Sequence, residues 1–114
     1  MRVLIACSDA SVRDAFLDAL RRADIGATSV ADAAATLELA RQQRPDIVLL
    51  DDELPGIGGV AGLQKLAAES PDSELVVLAA RFDRGSGVRA VLAGAAGYIS
   101  RGSRPRPFRA SFAV

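Results

Sequence analysis

Residues 44–59, RPDIVLLDDELPGIGG, form the stretch of sequence that decides the fold. The apolar run 47–50 is continuous and rich in branched side chains, which is typical of a strand buried on both faces at the centre of a parallel sheet. Three consecutive acids and then a Pro-Gly pair follow the run and end the strand. We therefore expect Asp51, the first acid, at the carboxyl end of a buried strand, where open α/β sheets bind ligands and carry out chemistry.

The composition limits the class of protein to which the chain can belong. Its 114 residues suffice for one domain with its own core, and its 14 basic and 14 acidic side chains cancel, so no global field favours nucleic acid or membrane. No stretch approaches the roughly 20 apolar residues of a membrane helix. With a single cysteine, Cys7, we expect a reducing compartment, a cytoplasmic location and no membrane partner. The absence of histidine excludes histidine-based catalytic triads and most zinc sites.

Strand and helix patterns alternate along the rest of the chain. Apolar runs predict five strands, at residues 2–6, 25–30, 47–50, 74–80 and 98–100. Apolar residues at helical spacing predict helices between them, the first capped by Ser8 or Asp9 and the others at residues 31–43, 59–69 and 83–93. Five strands alternating with helices indicate an α/β fold, a doubly wound parallel sheet with helices on both faces.

Each predicted helix has an apolar side that we expect to face the sheet. In the helix at 31–43, which Asp32 caps, these residues are Ala35, Leu37 and Ala40. In the helix at 59–69 they are Val60, Leu63, Leu66 and Ala67. In the helix at 83–93 they are Val88, Val91 and Leu92. We assign the domain to residues 1–103 and a short basic segment to 104–114, where Pro105 and Pro107 make the last helix short or irregular.

Three motifs accompany this order of elements: LPG at 54–56 after Asp51, Gly59 opening a helix, and GAAGYISR at 94–101. Together they resemble the receiver domain of bacterial two-component response regulators, over the chain up to about Arg101. The resemblance implies a flavodoxin-like (CheY-like) sheet of five strands and a phosphoryl group accepted by Asp51. It also implies a magnesium ion held by Asp51 and by two acids after the first strand, because a divalent cation neutralises charge during phosphoryl transfer.

The chain departs from the family pattern at the positions that carry this chemistry. Cys7 and Ser8 match the acid pair, and a thiol and a hydroxyl are poor ligands for a hard cation. Ala79 matches the hydroxyl residue that contacts the phosphoryl group, and it has no donor to offer. Arg101 replaces the family's lysine with a different cation, while Tyr98 retains the aromatic switch position. These departures predict a degenerate metal site and a degenerate switch.

From the sequence we favour an atypical (pseudo-receiver) member of the family. We expect it not to be an enzyme and to act by protein contact. No cofactor is expected. The resemblance implies a homodimer through the fourth helix, the fifth strand and the C-terminal helix, a face to which Arg84, Arg89, Val91 and Leu92 contribute. A histidine kinase is a further partner of such domains. The family's role in transcription regulation implies contact with DNA only through an attached effector domain.

Two alternatives stay open from the sequence. The first is a conventional phosphoacceptor that uses Asp51 with a weak magnesium site through Asp9 or Asp52. The second is a sensor of small anions that uses the vacated acidic pocket, because removing acids and keeping an arginine makes a pocket less repulsive to an anion. The residues around that pocket are Cys7, Ser8, Ala79 and Arg101.

Overall fold

The computed structural model describes residues 1–79 and 84–100, and the side chain of Ser86 lies outside that description. The elements in chain order are β1 (Arg2–Ala6), α1 (Ala10–Arg22), β2 (Gly26–Val30), α2 (Ala33–Gln43), β3 (Ile47–Asp51), α3 (Gly59–Glu69), β4 (Glu74–Ala79), α4 (Arg84–Leu92) and β5 (Ala95–Ser100). The five strands form one parallel sheet in the order β2-β1-β3-β4-β5. This order is the flavodoxin-like arrangement, so the predicted fold class is confirmed.

The central strand β3 is buried on both faces, as its uninterrupted apolar run predicts. It pairs with β1 on one side and with β4 on the other. Because successive side chains of a strand point to opposite faces, Leu50 packs with residues of α2, α3 and α4, and Leu49 packs with residues of α1. The sheet therefore has an apolar core on each face.

Two aspartates fix the starts of α1 and α2, as the capping pattern predicts. Of the two candidate caps for α1, Asp9 is the one used: its carboxylate accepts hydrogen bonds from the backbone N–H groups of Ser11 and Val12. Asp32 accepts a hydrogen bond from the N–H group of Ala35 at 2.8 Å. Such a cap satisfies backbone donors that have no partner within the helix, and contributes about 1 kcal/mol to stability.

The fifth strand is longer than the sequence predicts. The segment 94–97 reads as a turn because it consists of glycine and alanine, yet β5 begins at Ala95. Ala95 pairs with Leu75 and Tyr98 pairs with Val77, with a register shift between Leu75 and Val76. The apolar strand β4 offers a complete row of hydrogen-bonding partners, and this tertiary pairing outweighs the weak strand preference of alanine and glycine.

The apolar side of α4 is where the prediction was wrong. Val88, Val91 and Leu92 were expected to face the sheet, but they are exposed, Leu92 to 81%. Among the side chains of α4 that the structure describes, the buried ones are small, namely Gly87 and Ala90. The small side of the helix packs closely on the sheet and leaves the larger side chains in solvent. Val60 of α3 was likewise expected in the core and is exposed, whereas Leu63 and Leu66 are buried as expected.

Several predictions fall on residues that the structure does not describe. They concern the end of the fourth strand at Ala80, the cation Arg101, the division of the chain at residue 103 and the irregular last helix within 104–114. Within residues 1–79 and 84–100, no helix combines the length and apolar character that a bilayer-spanning segment requires.

Candidate functional site

Asp51 ends β3 at the carboxyl edge of the sheet, where its position follows from the strand register. It lies beside Leu78 of β4. On the other side, Ala6 of β1 pairs with Leu50, so Cys7, the next residue, comes alongside Asp51. Parallel strands bring their carboxyl ends to one edge, and for this reason the sequence could place both residues in the same site.

The Asp51 carboxylate is enclosed by protein. Its Oδ1 accepts a hydrogen bond from the backbone N–H group of Glu53 at 3.0 Å. Its Oδ2 lies 3.5 Å from the Sγ atom of Cys7, which is a weak donor. The exposed fraction of Asp51 is 0%, and that of Cys7 is also 0%. A phosphoryl donor that reaches an Asp51 oxygen must therefore first displace part of this enclosure.

The segment that follows Cys7 is held in place by α1. Arg13 donates a hydrogen bond from Nη1 to the carbonyl oxygen of Cys7 at 2.8 Å. Ser8 is exposed to solvent. Asp9 is also exposed, and its carboxylate caps α1 in the contacts described above. The structure therefore does not bring Asp9 together with Asp51, although the weak magnesium site considered from the sequence uses both residues.

Three carboxylates remain close to one another at this edge. Asp51, Asp52 and Glu53 can each place one oxygen within 4.8 Å of the others. Carboxylate oxygens are ligands that magnesium prefers, but all three come from one segment of chain. On the β1 side, a magnesium ion bound to Asp51 would meet the thiol of Cys7, which suits soft metals better than hard ones. The residues present thus fit the family's magnesium ion poorly.

The connection from β3 into α3 packs so closely that it leaves no room for a side chain at Gly58 in the loop or at Gly62 in α3. Leu54 and Ile57 are buried and anchor the loop to the core. A Cβ atom at Gly58 would clash with the carbonyl oxygen of Asp52, and one at Gly62 would clash with the backbone of Ile57. Steric exclusion of a Cβ atom therefore explains why position 58 is a glycine, and the sequence pattern alone does not reveal this.

The two switch positions within the described residues are both buried. Ala79 ends β4, pairs with Ser100 and is 1% exposed. Tyr98 is 5% exposed, and its ring lies against α4, where a Cβ atom at Gly87 would lie 3.5 Å from the nearest ring atom. Tyr98 is thus a packed part of the core in this structure. The third switch residue, Arg101, lies outside the described residues.

A cleft lies between α3 and α4, beside the acidic edge, and the sequence did not predict it. Its volume is about 160 Å³. Tyr98 and Arg89 line it together with Asp52, Gly59 and apolar residues of β3, α3, β4 and α4. Arg89, which was expected on a dimer face, lies in the cleft wall. Small residues three positions apart in α4, at 87 and 90, are the sequence signal that points to a close helix–sheet contact there.

Comparison with known proteins agrees with this fold. Residues 3–112 match the family model described as the response regulator receiver domain. A solved response regulator from Burkholderia pseudomallei superposes with a TM-score of 0.84 over 97% of this chain and 65% of that one, at 19% identity, which supports the fold alone. That protein was crystallised with a phosphorylated aspartic acid, a calcium ion and citrate.

Curated relatives include a response regulator and a transcriptional regulatory protein. The response regulator GacA of Pseudomonas aeruginosa is 42% identical over 67 residues, which is 59% of this chain and 31% of GacA. The transcriptional regulatory protein CseB of Streptomyces coelicolor is 36% identical over 99 residues, which is 87% of this chain and 42% of CseB. The chain therefore spans less than half the length of either relative. Since the family model covers nearly the whole sequence, the chain belongs to the response regulator receiver domain family.

Proposed function

We propose that this domain is an atypical receiver that signals through protein contact, with magnesium-dependent phosphorylation of Asp51 impaired. The observation that carries the proposal is the 3.5 Å contact between Cys7 Sγ and Asp51 Oδ2. A thiol stands where the family has a metal-binding acid, and the carboxylate that would accept the phosphoryl group is buried beside it. Because catalysis of phosphoryl transfer depends mainly on charge neutralisation and positioning, loss of the metal ligands removes most of the stabilisation of its transition state.

The exposed surface of α4 supports a role in protein–protein contact. Val88, Val91 and Leu92 form an exposed apolar patch on α4, next to the edge strand β5. Contiguous apolar groups in solvent commonly mark interaction sites. We assign this α4 patch to a homodimer contact. The relatives' names, response regulator and transcriptional regulatory protein, support a controlling role over a DNA-binding effector domain joined to this one.

The phosphorylation part of the proposal is tested with acetyl phosphate and magnesium, followed by intact mass measurement. We expect no added phosphate on the wild-type domain. The double variant Cys7→Asp, Ser8→Asp restores the acid pair, and we expect it to gain one phosphate that the further substitution Asp51→Asn removes. Stoichiometric labelling of wild-type Asp51 would overturn the proposal.

The contact part is tested by the association state. Sedimentation of the wild-type domain should show a monomer–dimer equilibrium that Leu92→Lys shifts toward monomer. Arg22→Lys, at an exposed residue of α1 remote from the patch, serves as the control and should leave the equilibrium unchanged. A wild-type domain that is monomeric at all concentrations would exclude a dimer through this patch.

A conventional phosphoacceptor is the second candidate, and the close carboxylates of Asp51, Asp52 and Glu53 favour it. The labelling experiment above separates it from the first candidate. The anion sensor predicted for the vacated pocket receives less support, because Cys7, Asp51 and Ala79 are each at most 1% exposed. Among the residues that the structure describes, the Asp51 carboxylate is buried against Cys7.

A further inference from the structure

The connection from β1 to α1, residues 7–9, passes beside the Asp51 carboxylate and is fixed there by hydrogen bonds of its main chain. The N–H group of Cys7 donates to the carbonyl oxygen of Val30 at 3.1 Å. The carbonyl oxygen of Cys7 accepts a hydrogen bond from Arg13 Nη1 at 2.8 Å. The position of the Cys7 side chain against Asp51 is therefore set by the main chain of this connection as well as by the thiol.

Arg13 ties the connection to the first turn of α1. Its N–H group donates to the carbonyl oxygen of Asp9 at 3.0 Å, and its guanidinium group reaches back to Cys7. A hydrogen bond from a guanidinium group is charge-assisted and is stronger than one between neutral groups. Because Arg13 is half-buried, water competes less for this bond than at an exposed site. Loss of the bond should therefore free the connection to move away from the edge of the sheet.

A magnesium ion at Asp51 would require that movement. Magnesium loses its waters reluctantly and keeps several of them at protein sites. Asp51 Oδ1 accepts the Glu53 N–H group, Oδ2 lies 3.5 Å from Cys7 Sγ, and Asp51 and Cys7 are each 0% exposed. A hydrated ion reaches Oδ2 only after Cys7 withdraws, which strains the hydrogen bonds of its main chain. A thiol is a poor ligand for a hard cation, so coordination does not offset that cost.

We propose that the β1–α1 connection keeps the Asp51 site closed to magnesium, and that Arg13 is the positioning residue that holds the connection in place. This inference rests on the proposed function, since it takes the metal-binding acids as lost, and it extends that function by naming the residue that keeps the site shut. The acceptor carboxylate is then inaccessible for two separate reasons, the missing ligands and the closed connection.

The position of Arg13 is tested through the thiol, because Cys7 is the one cysteine of the chain. Its reaction with the chromogenic disulfide DTNB reports how often the connection opens in the folded domain. We expect the folded wild type to react about a hundredfold or more slowly than the chain unfolded in urea. Arg13→Met removes the donor and keeps much of the side chain's length, and should raise the rate about tenfold or more. Arg13→Lys keeps a cationic donor and should restore most of the protection.

Two controls separate this effect from general destabilisation. Arg22→Met makes the same substitution at an exposed residue of the same helix. Ser73→Ala removes the hydrogen bond from Ser73 Oγ to the carbonyl oxygen of Pro45, at the opposite edge of the sheet, and lowers stability there. Both should leave the rate unchanged. An unchanged rate in Arg13→Met, or an equal rise in Ser73→Ala, would overturn the role of Arg13.

The exclusion of magnesium is tested by thermal unfolding in magnesium chloride against sodium chloride of equal ionic strength. A ligand that binds the folded state raises the unfolding temperature saturably. We expect no such rise in the wild type and a saturable rise in the double variant Cys7→Asp, Ser8→Asp. A saturable rise in the wild type would overturn the inference, and it decides alone if the double variant does not fold.

This inference and the proposed function fail on different measurements. Acetyl phosphate labelling of wild-type Asp51 would overturn the function and leave the effect of Arg13 on the thiol unchanged. An unchanged thiol rate in Arg13→Met would overturn the inference, even with Asp51 unlabelled.

Discussion

The carboxyl end of β3 and the helix α4 belong to the same packed sheet, but they differ in the size of the side chains that they bury. At the end of β3, large apolar residues are buried, the loop is closed against the core, and Asp51 is 0% exposed. In α4, small residues face the sheet and leucine and valine face solvent, with Leu92 81% exposed. The difference indicates that the first region maintains stability, while the second is available for contacts with other molecules.

The largest effect that separates the two regions is expected from truncating leucine. Leu50→Ala removes a fully buried side chain from β3 and should lower the free energy of unfolding by about 2–5 kcal/mol. At concentrations where the domain is monomeric, Leu92→Ala removes the same atoms from an exposed site and should change it by less than about 0.5 kcal/mol. Urea denaturation of both variants measures the contrast, and equal losses would show that the two regions do not differ in this way.

A smaller loss is expected where α3 contacts the loop after Asp51. Gly62→Ala places a Cβ atom against the backbone of Ile57, which cannot move without shifting the buried loop. We expect a loss of about 1–3 kcal/mol in the free energy of unfolding, since overpacking forces backbone shifts. Thermal unfolding measures it. A variant as stable as the wild type would show that the loop is less tightly closed than the structure indicates.

The Asp9 cap of α1, two residues after Cys7, is expected to contribute to the free energy of unfolding. Asp9→Ala removes the acceptor for the N–H groups of Ser11 and Val12 and should cost about 1 kcal/mol. Asp9→Asn keeps an acceptor oxygen and is the matched control, for which we expect a change of only a few tenths of a kcal/mol. If Asp9→Asn lost as much as Asp9→Ala, the charge of Asp9 rather than its hydrogen bonds would be what matters.

The smallest effect is a gain, and it is expected in α4. Gly87→Ala improves helix propensity by up to about 1 kcal/mol, and its Cβ atom would meet the ring of Tyr98 at an ordinary contact distance of 3.5 Å. Chemical denaturation should therefore show a small increase in stability. A loss would mean that α4 packs on Tyr98 more tightly than described.

The functional site shows which features residue patterns can predict and which they cannot. Asp51 and Cys7 were predicted at the same edge because both follow apolar strands, and the strand pairings place them there. Their contact and the complete burial of both depend on strand register and on the closed loop, which are not local properties. Asp9, one residue from the matching position, could be weighed from the sequence only as a possible ligand. The geometry of the α1 cap decides that its carboxylate points elsewhere.

By itself, the sequence determined the features that depend on neighbouring residues: the buried strand β3, the alternation of strands and helices, the cap at Asp32, and a cap of α1 at either Ser8 or Asp9. Tertiary structure alone decided which side of α4 faces the sheet, how far β5 extends and where Arg89 lies. The physical reason is that periodicity specifies a helix and its apolar residues, whereas the side that is buried depends on which packing partner fits. In α4 the sheet and the Tyr98 ring accept glycine and alanine, and that close fit turns the larger apolar residues outward.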